Sequence, residues 1–214
     1  MRALRAARQL NPRHKDAAKL LAIELGKNDN SPEAVKLLAP MVDDTPFDEE
    51  IHLLLIEAYQ AAGDAEPARE LATKTLERFP RSAGANYWMG LELRDAGRFP
   101  EAREFLGKAL KLDPDFELVY VALGDVELKE QKYDDAARYF RAVLAKQAES
   151  AEALIGLSRA LVGLDQLSSA IETLEHAALR TAEPRIHLEL SRLYSRRGDR
   201  DRAAREAELF RKGK

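Results

Sequence analysis

Apolar and polar residues follow a helical rhythm along this chain, and the rhythm repeats in a fixed frame. In a frame that begins at Ala83 and ends at Phe116, apolar residues favour positions 4, 7, 8 and 11, and then positions 20, 24, 27 and 28. Spacings of three and four residues place such side chains on one face of an α-helix. The pattern therefore predicts two amphipathic helices in each frame, with a turn near position 15.

One residue type returns at a nearly constant interval and defines the frame. Position 20 is always alanine, at intervals of 34, 34, 34, 34 and 33 residues: Ala34, Ala68, Ala102, Ala136, Ala170 and Ala203. A period of this size is typical of stacked helical repeats and not of a single globular core. We interpret the alanine as the point where the two helices cross, because extra methylenes in a tight crossing cost about 1–3 kcal/mol.

Turn residues and prolines mark the boundaries of the repeats. Position 15 holds Asp29, Gly63, Gly97, Gln131, Asp165 and Gly198, and position 32 holds Pro46, Pro80 and Pro114 in three frames. Proline stops a helix, and glycine readily adopts the left-handed helix cap. These signals predict six units, at residues 15–48, 49–82, 83–116, 117–150, 151–183 and 184–214. Residues 1–14 are predicted to be the second helix of an incomplete unit, as expected for a piece of a longer, bacterial-type protein.

A small residue at position 8, alanine at position 20 and proline at position 32 together resemble the tetratricopeptide repeat (TPR) family over nearly the whole chain. The resemblance implies an all-α fold, a right-handed α-solenoid of helix-turn-helix repeats whose first helices line a concave groove. The chain departs from the family at position 4, which lacks the usual tryptophan. It also departs at Glu127, an acid at an interface position, which we expect either to extend toward solvent or to pair with a cation.

The resemblance also implies a binding surface, because positions 2, 5, 9, 12 and 13 of the first helices face the groove in this family. The residues predicted to bind a partner are Lys19, Ile23, Leu53, Glu57, Tyr87, Trp88, Leu91, Arg94, Val121, Asp125, Leu128, Ile155, Arg159, Leu188 and Arg192. Among them, Tyr87, Trp88 and Leu91 are predicted to be central anchors, and the charged residues to set the orientation of the bound segment. The alternative is that the aliphatic residues at position 5 pack against the adjoining helix and are half-buried.

One TPR subclass clamps an acidic carboxy-terminal tail with lysine, asparagine and arginine at positions 2, 5, 6 and 9 of successive units. Lys19 fits position 5 here, but position 9 of the same unit is Ile23, and the next units place Leu54 and Trp88 at position 6. The resemblance therefore does not extend to that clamp.

Composition narrows the classes of function. The chain has no cysteine, which excludes disulfides and cysteine-based metal sites. Its formal net charge of −3 argues against nucleic acid as the principal partner, because phosphate binding needs a basic surface. No apolar run approaches the ~20 residues of a transmembrane helix, and residues 1–8 lack the hydrophobic segment of a signal peptide. We expect a cytoplasmic protein, with the periplasmic part of a larger protein as the alternative.

The sequence lacks motifs for catalysis or cofactor binding. Its four histidines are not spaced as metal ligands, and His52 and His187 share position 4, which predicts packing roles. We therefore expect a scaffold without catalysis, cofactor or metal, which binds a peptide segment or a partner subunit in the groove. Two alternatives stay open: a docking or regulatory region of a larger enzyme or of a secretion or assembly machine, and self-association through the terminal helices.

Overall fold

A computed structural model describes residues 14–213, which form twelve α-helices and no strand within that range. The helices are α1 (Lys15–Lys27), α2 (Ser31–Asp44), α3 (Glu49–Ala62), α4 (Ala65–Arg78), α5 (Ala83–Asp95), α6 (Phe99–Leu112), α7 (Glu117–Lys129), α8 (Tyr133–Leu144), α9 (Ala151–Gly163), α10 (Leu167–Ala178), α11 (Pro184–Arg197) and α12 (Arg200–Lys212). The helix predicted within residues 1–14 lies outside the described residues, apart from His14, which caps α1. The chain divides into an N-terminal unit that ends at Pro114 and a C-terminal unit that begins at Asp115.

The same backbone motif joins the two helices of every hairpin. The residue at position 15 has a positive φ in all six hairpins, from 54° at Asp29 to 86° at Gly198. The next N–H then donates to a carbonyl five residues back, as from Lys132 to Glu127 over 2.8 Å. This bond belongs to the Schellman motif, which caps the last carbonyls of a helix. The predicted turns are confirmed, and they are left-handed at Asp29, Gln131 and Asp165 as well as at the glycines.

Helices alternate between two layers within each unit. Within a unit, each helix packs against its neighbours in sequence, and the odd-numbered helices also contact one another: α1 with α3, α3 with α5, α7 with α9, and α9 with α11. The odd-numbered helices are the first helices of the predicted repeats, so they form one continuous layer in each unit. This arrangement confirms the predicted fold class, an all-α solenoid of helix-turn-helix repeats.

Small residues allow the two helices of a hairpin to approach closely. The position-20 alanines are buried in all six hairpins, with no more than 7% of any residue exposed. On α7, a Cβ added to Gly124 would lie 2.7 Å from Cζ of Phe140 on α8, and on α5 a Cβ added to Gly90 would lie 2.6 Å from Cγ of Leu106. Both neighbours are fully buried. The predicted role of the small residue at position 8 is thus confirmed at these two hairpins.

The substitution Gly124→Ala should lower the free energy of unfolding by about 1–2 kcal/mol, because overpacking against Phe140 outweighs the better helix propensity of alanine. Gly107 on α6 is the matched control, since a Cβ at that position would have no atom within 4 Å. Gly107→Ala should raise the free energy of unfolding by about 0.5–1 kcal/mol. Denaturant unfolding followed by circular dichroism measures both, and shifts of the same sign would contradict the packing argument.

The substitution Gln131→Gly should raise the free energy of unfolding by about 0.5–1 kcal/mol, since a side chain is costly in the left-handed region. Gln131 has a φ of 59°. Gln166 is the control because it is also an exposed glutamine in a hairpin turn, but with a φ of −97°. Thermal melts of the two variants should show stabilisation for Gln131→Gly alone. A loss of stability in Gln131→Gly would show that its backbone carries no such cost.

Candidate functional site

The first helices of the C-terminal unit form an open depression of about 250 Å³. Each of α7, α9 and α11 contributes to its lining. The lining residues are Val121, Asp125, Glu152, Ile155, Gly156, Arg159, Arg185, Leu188, Glu189 and Arg192, which together define the C-terminal groove. Six of the fifteen residues predicted to bind a partner meet here: Val121, Asp125, Ile155, Arg159, Leu188 and Arg192.

An apolar strip crosses the floor of the C-terminal groove. Val121, Ile155 and Leu188 occupy the same repeat position on three adjacent helices, which places them side by side. Val121 and Leu188 are half-buried, whereas only 8% of Ile155 is exposed and its side chain belongs to the core of the unit. The packing alternative therefore describes Ile155 well, while Val121 and Leu188 remain partly exposed.

Gly156 sits beside this strip and has a packing reason of its own. A Cβ on Gly156 would lie 2.3 Å from ring atoms of Phe140, the fully buried aromatic residue of α8. The absence of a side chain thus lets Phe140 pack directly against the backbone of α9, beneath the groove.

A buried carboxylate organises the charged side of the groove. Glu189 accepts two hydrogen bonds from Arg159, at 2.9 Å from Nε and 3.4 Å from Nη2, and a third from Nη1 of Arg192 at 2.8 Å. The Glu189 side chain is 9% exposed, whereas those of Arg159 and Arg192 are 52% and 59% exposed. The carboxylate is therefore covered, and the two guanidinium groups are presented to solvent.

These contacts keep Glu189 ionised. Burial alone would raise its pKa, but hydrogen bonds and charge from Arg159 and Arg192 outweigh that effect and lower the pKa below its usual value. The pKa of Arg159 is raised, first by its hydrogen bond to Glu189, and the charge of Asp125 on α7 adds to this. At neutral pH the three side chains carry two positive charges and one negative charge.

The other end of the groove holds a second ion-pair group. Arg185 donates to Glu152 through Nη2 and to Glu183 through Nε, each at 2.7 Å. The hydrogen bond from Arg185 lowers the pKa of Glu152 despite partial burial. Here two carboxylates surround one guanidinium, so the charge balance is the reverse of that around Glu189.

Glu152, Arg185 and Glu189 are not among the residues predicted to bind a partner, although Glu152 and Arg185 occupy position 2, one of the positions that face the groove in the family. Glu189 occupies position 6, where the other units have apolar or small residues, and it precedes Arg192 by three residues. The sequence signal for Glu189 was therefore an acid at this position, one helical turn before Arg192.

The N-terminal unit has a smaller set of predicted residues in a comparable depression. Ile23 and Glu57 line a volume of about 240 Å³ between α1 and α3, together with Leu54 and several alanines. The ammonium group of Lys19 instead lies 2.8 Å from Asp48 and 2.7 Å from Glu50, which ties α1 to the start of α3. Burial lowers the pKa of Lys19, but the bonds to these two acids outweigh burial and raise it.

Leu53 packs toward α5, because a Cβ on Gly84 would lie 2.6 Å from its Cδ1. This is the contact that the packing alternative describes for position 5.

The predicted central anchors lie on α5. Tyr87 and Trp88 are half-buried, with ring centroids 5.2 Å apart in an edge-on arrangement, and Trp88 packs against the core of the N-terminal unit. Leu91 is half-buried, and Arg94 donates to Asp95 over 2.8 Å. Leu128, at the end of α7, is also half-buried and packs against the C-terminal core. These residues do not line the two depressions, and their binding role stays a prediction.

Glu127 is buried, with 3% exposed, and its carboxylate lies 3.9 Å from Nζ of Lys132. The expectation that it extends toward solvent is therefore wrong, and the alternative of pairing with a cation describes it. Across residues 14–213, no group of three or more acids and histidines is arranged to hold a metal ion. No helix in the same range combines the length and apolar character needed to cross a bilayer.

The two histidines at position 4 make internal hydrogen bonds. His187 lies 2.7 Å from Glu206. His52, which is 3% exposed, has its Nδ1 3.2 Å from the hydroxyl of Thr75. That hydroxyl donates to the Leu71 carbonyl over 2.6 Å, so its oxygen accepts from His52 Nδ1–H. Nε2 of His52 is buried without a partner in the described part of the chain.

This is a helical-repeat protein. Its helical hairpins form two layers in each unit, with a packed interior and a groove on the first helices. Models of the tetratricopeptide repeat match residues 53–115 and 127–188. The chain belongs to the tetratricopeptide repeat family.

Solved structures resemble the chain along nearly its whole length. PilW, described as a widely conserved type IV pilus biogenesis factor, has a TM-score of 0.77 and 22% identity over 91% of each chain. PilF of Pseudomonas aeruginosa has a TM-score of 0.72 and 24% identity, covering 94% of this chain and 93% of PilF. A chain of the APC/C hetero-tetramer Cut9–Hcn1 has a TM-score of 0.83 and 16% identity, covering 97% of this chain and 41% of its own length. These similarities show the fold, and no curated protein matches the chain.

Mild acid should destabilise the N-terminal unit through His52. Burial, followed by the charge of Arg78, lowers the pKa of His52, while Asp48 and Glu49 oppose the shift. The imidazole of His52 is therefore harder to protonate in the folded protein than in the unfolded chain, where it accepts a proton below about pH 6.5. Neutral His52 therefore makes its full contribution to the free energy of unfolding above about pH 6.5. That contribution is lost as the pH falls below this value and through the lowered pKa of His52.

Thermal melts between about pH 7.5 and pH 5.5 should show a fall in Tm that is smaller in His52→Gln. His176 is exposed, and His176→Gln should keep the pH dependence of the wild type. Equal pH profiles for the wild type and His52→Gln would remove His52 as the cause.

Proposed function

We propose that this chain is a protein-interaction scaffold without catalytic activity of its own, and that the C-terminal groove binds a short segment of a partner protein. The observation that carries the proposal is the meeting of Val121, Ile155 and Leu188 with half-exposed arginines in a single depression. An apolar strip bordered by charged groups suits protein recognition, since apolar contacts supply affinity and the charges supply orientation.

The dimensions of the groove favour a segment of chain over a compact small molecule. Adjacent packed helices lie about 8–10 Å apart, so a strip across three helices extends roughly 16–20 Å. An extended peptide covers that distance with about five or six residues. The net charge of −3 supports a protein partner over nucleic acid.

The same groove would be the binding surface if this chain acts as a docking region of a larger enzyme or of a secretion or assembly machine. PilW carries the description of a pilus biogenesis factor, and this similarity of fold is compatible with a role in assembly. The depression lined by Ile23 and Glu57 offers the N-terminal unit a second, smaller contact surface.

Selection of short linear peptides from a random phage-displayed library on the immobilised full chain tests the proposal. Peptides that bind should lose at least about tenfold in affinity for Leu188→Glu, because a charge replaces a central apolar contact. Leu179→Glu is the matched control, since Leu179 lies outside the groove at the end of α10 and is 85% exposed. It should bind like the wild type.

Circular dichroism should show unchanged helix content in both variants. The proposal fails if no peptide is enriched, or if enriched peptides bind Leu188→Glu as tightly as the wild type.

A further inference from the structure

We propose that the partner segment carries an acidic side chain that docks on Arg192 and Arg159, next to an apolar side chain on the strip of the C-terminal groove. This inference rests on the proposed function and adds the chemistry of the partner. It starts from the uneven distribution of hydrogen-bonding groups within the groove.

The buried carboxylate of Glu189 is more fully engaged than the two guanidinium groups that donate to it. Glu189 accepts three hydrogen bonds and its side chain is 9% exposed, whereas Glu152, at the other end of the groove, accepts from Arg185 and is 53% exposed. Arg159 and Arg192 each keep more than half of the side chain exposed. A guanidinium group has five N–H donors, so both arginines retain donors directed toward solvent. The surface around Glu189 therefore offers donors, and a matching ligand supplies acceptors.

The distribution of charge in the groove also favours a partner acid near Arg192. Arg159, Arg192 and Glu189 together carry one positive charge, which Asp125 on the neighbouring helix formally offsets. Asp125 also acts on Arg159 from the neighbouring helix. Arg192 is therefore the less compensated of the two, and it is the principal contact in the proposal. The group around Arg185 has the opposite excess, so a partner acid is directed toward the Arg192 end.

Glu189 also holds the arginines in place before a partner arrives. Its hydrogen bonds restrict two long side chains whose ordering would otherwise oppose binding. A guanidinium group held in this way can form paired, charge-assisted hydrogen bonds with a carboxylate. Glu189 is thus a positioning residue, and the arginines are the contacts.

The two arginines differ in structural importance, and this difference makes the proposal testable. Arg159 links α9 to Glu189 on α11, whereas Arg192 lies on the same helix as Glu189, three residues further along. The Arg192 side of its pair is exposed, and without it the buried Glu189 still accepts both hydrogen bonds from Arg159, so this pair contributes less to stability than the contact between the helices. Removing the charge of Arg192 therefore leaves the contact between the helices intact.

A double-mutant cycle on a selected peptide provides the test. The tightest peptide from the library selection is compared with versions in which each Asp or Glu is replaced by Asn or Gln, on the wild type and on Arg192→Gln. Arg192→Gln should weaken binding of the parent peptide at least about tenfold, with unchanged Tm. One acid-to-amide change should weaken binding to the wild type similarly and have little further effect on Arg192→Gln.

The matched control is Arg138→Gln, since Arg138 is 73% exposed on α8, outside the groove. This variant should bind like the wild type.

The outcomes separate the two proposals. If Leu188→Glu abolishes binding but the peptide acids and Arg192 act independently, or the peptides contain no acid, the acidic-partner proposal fails and the scaffold proposal stands. If peptide binding does not depend on Leu188, both fail. Sedimentation completes the test, because self-association that Leu188→Glu abolishes would identify a second copy as the occupant and overturn the acidic-partner proposal.

Discussion

The close approach of two helices within each hairpin is the constraint on which this structure depends. It requires the buried alanine at position 20, and at some hairpins a glycine lets a large side chain reach the opposite backbone, as Gly124 does for Phe140. Because the first helices of successive hairpins also pack side by side, one surface of that layer remains available in each unit. The groove is thus a consequence of the packing that builds the fold.

The left-handed turn is the second requirement of each hairpin. Three glycines, two aspartates and one glutamine adopt it, and in each case the following N–H caps a carbonyl of the preceding helix. The tertiary contacts of the hairpin therefore impose the turn even on Gln131, which has no local preference for it. The residue type at position 15 thus varies among the six hairpins, whereas the left-handed backbone conformation is the same in all of them.

Within the C-terminal groove, a buried acid determines how the exposed bases are presented. Glu189 lies between two arginines from neighbouring helices and orients both, so the arrangement of the exposed charges depends on a buried residue. Burial alone would favour protonation, but the arginines keep the carboxylate charged. The apolar strip and this charged group together account for the proposed recognition of an acidic segment.

Periodicity in the sequence determined the hairpins, their turns and the buried alanines, because each follows from local spacing and from residue size. The resemblance to the TPR family added six residues of the C-terminal groove. Tertiary structure decided that Leu53 packs onto α5, that Lys19 pairs with two acids, and that Glu127 is buried. It also revealed the role of Glu189, whose partner Arg159 is thirty residues earlier in the chain. Such contacts depend on how two helices are placed against each other, which the repeat pattern of either helix does not specify.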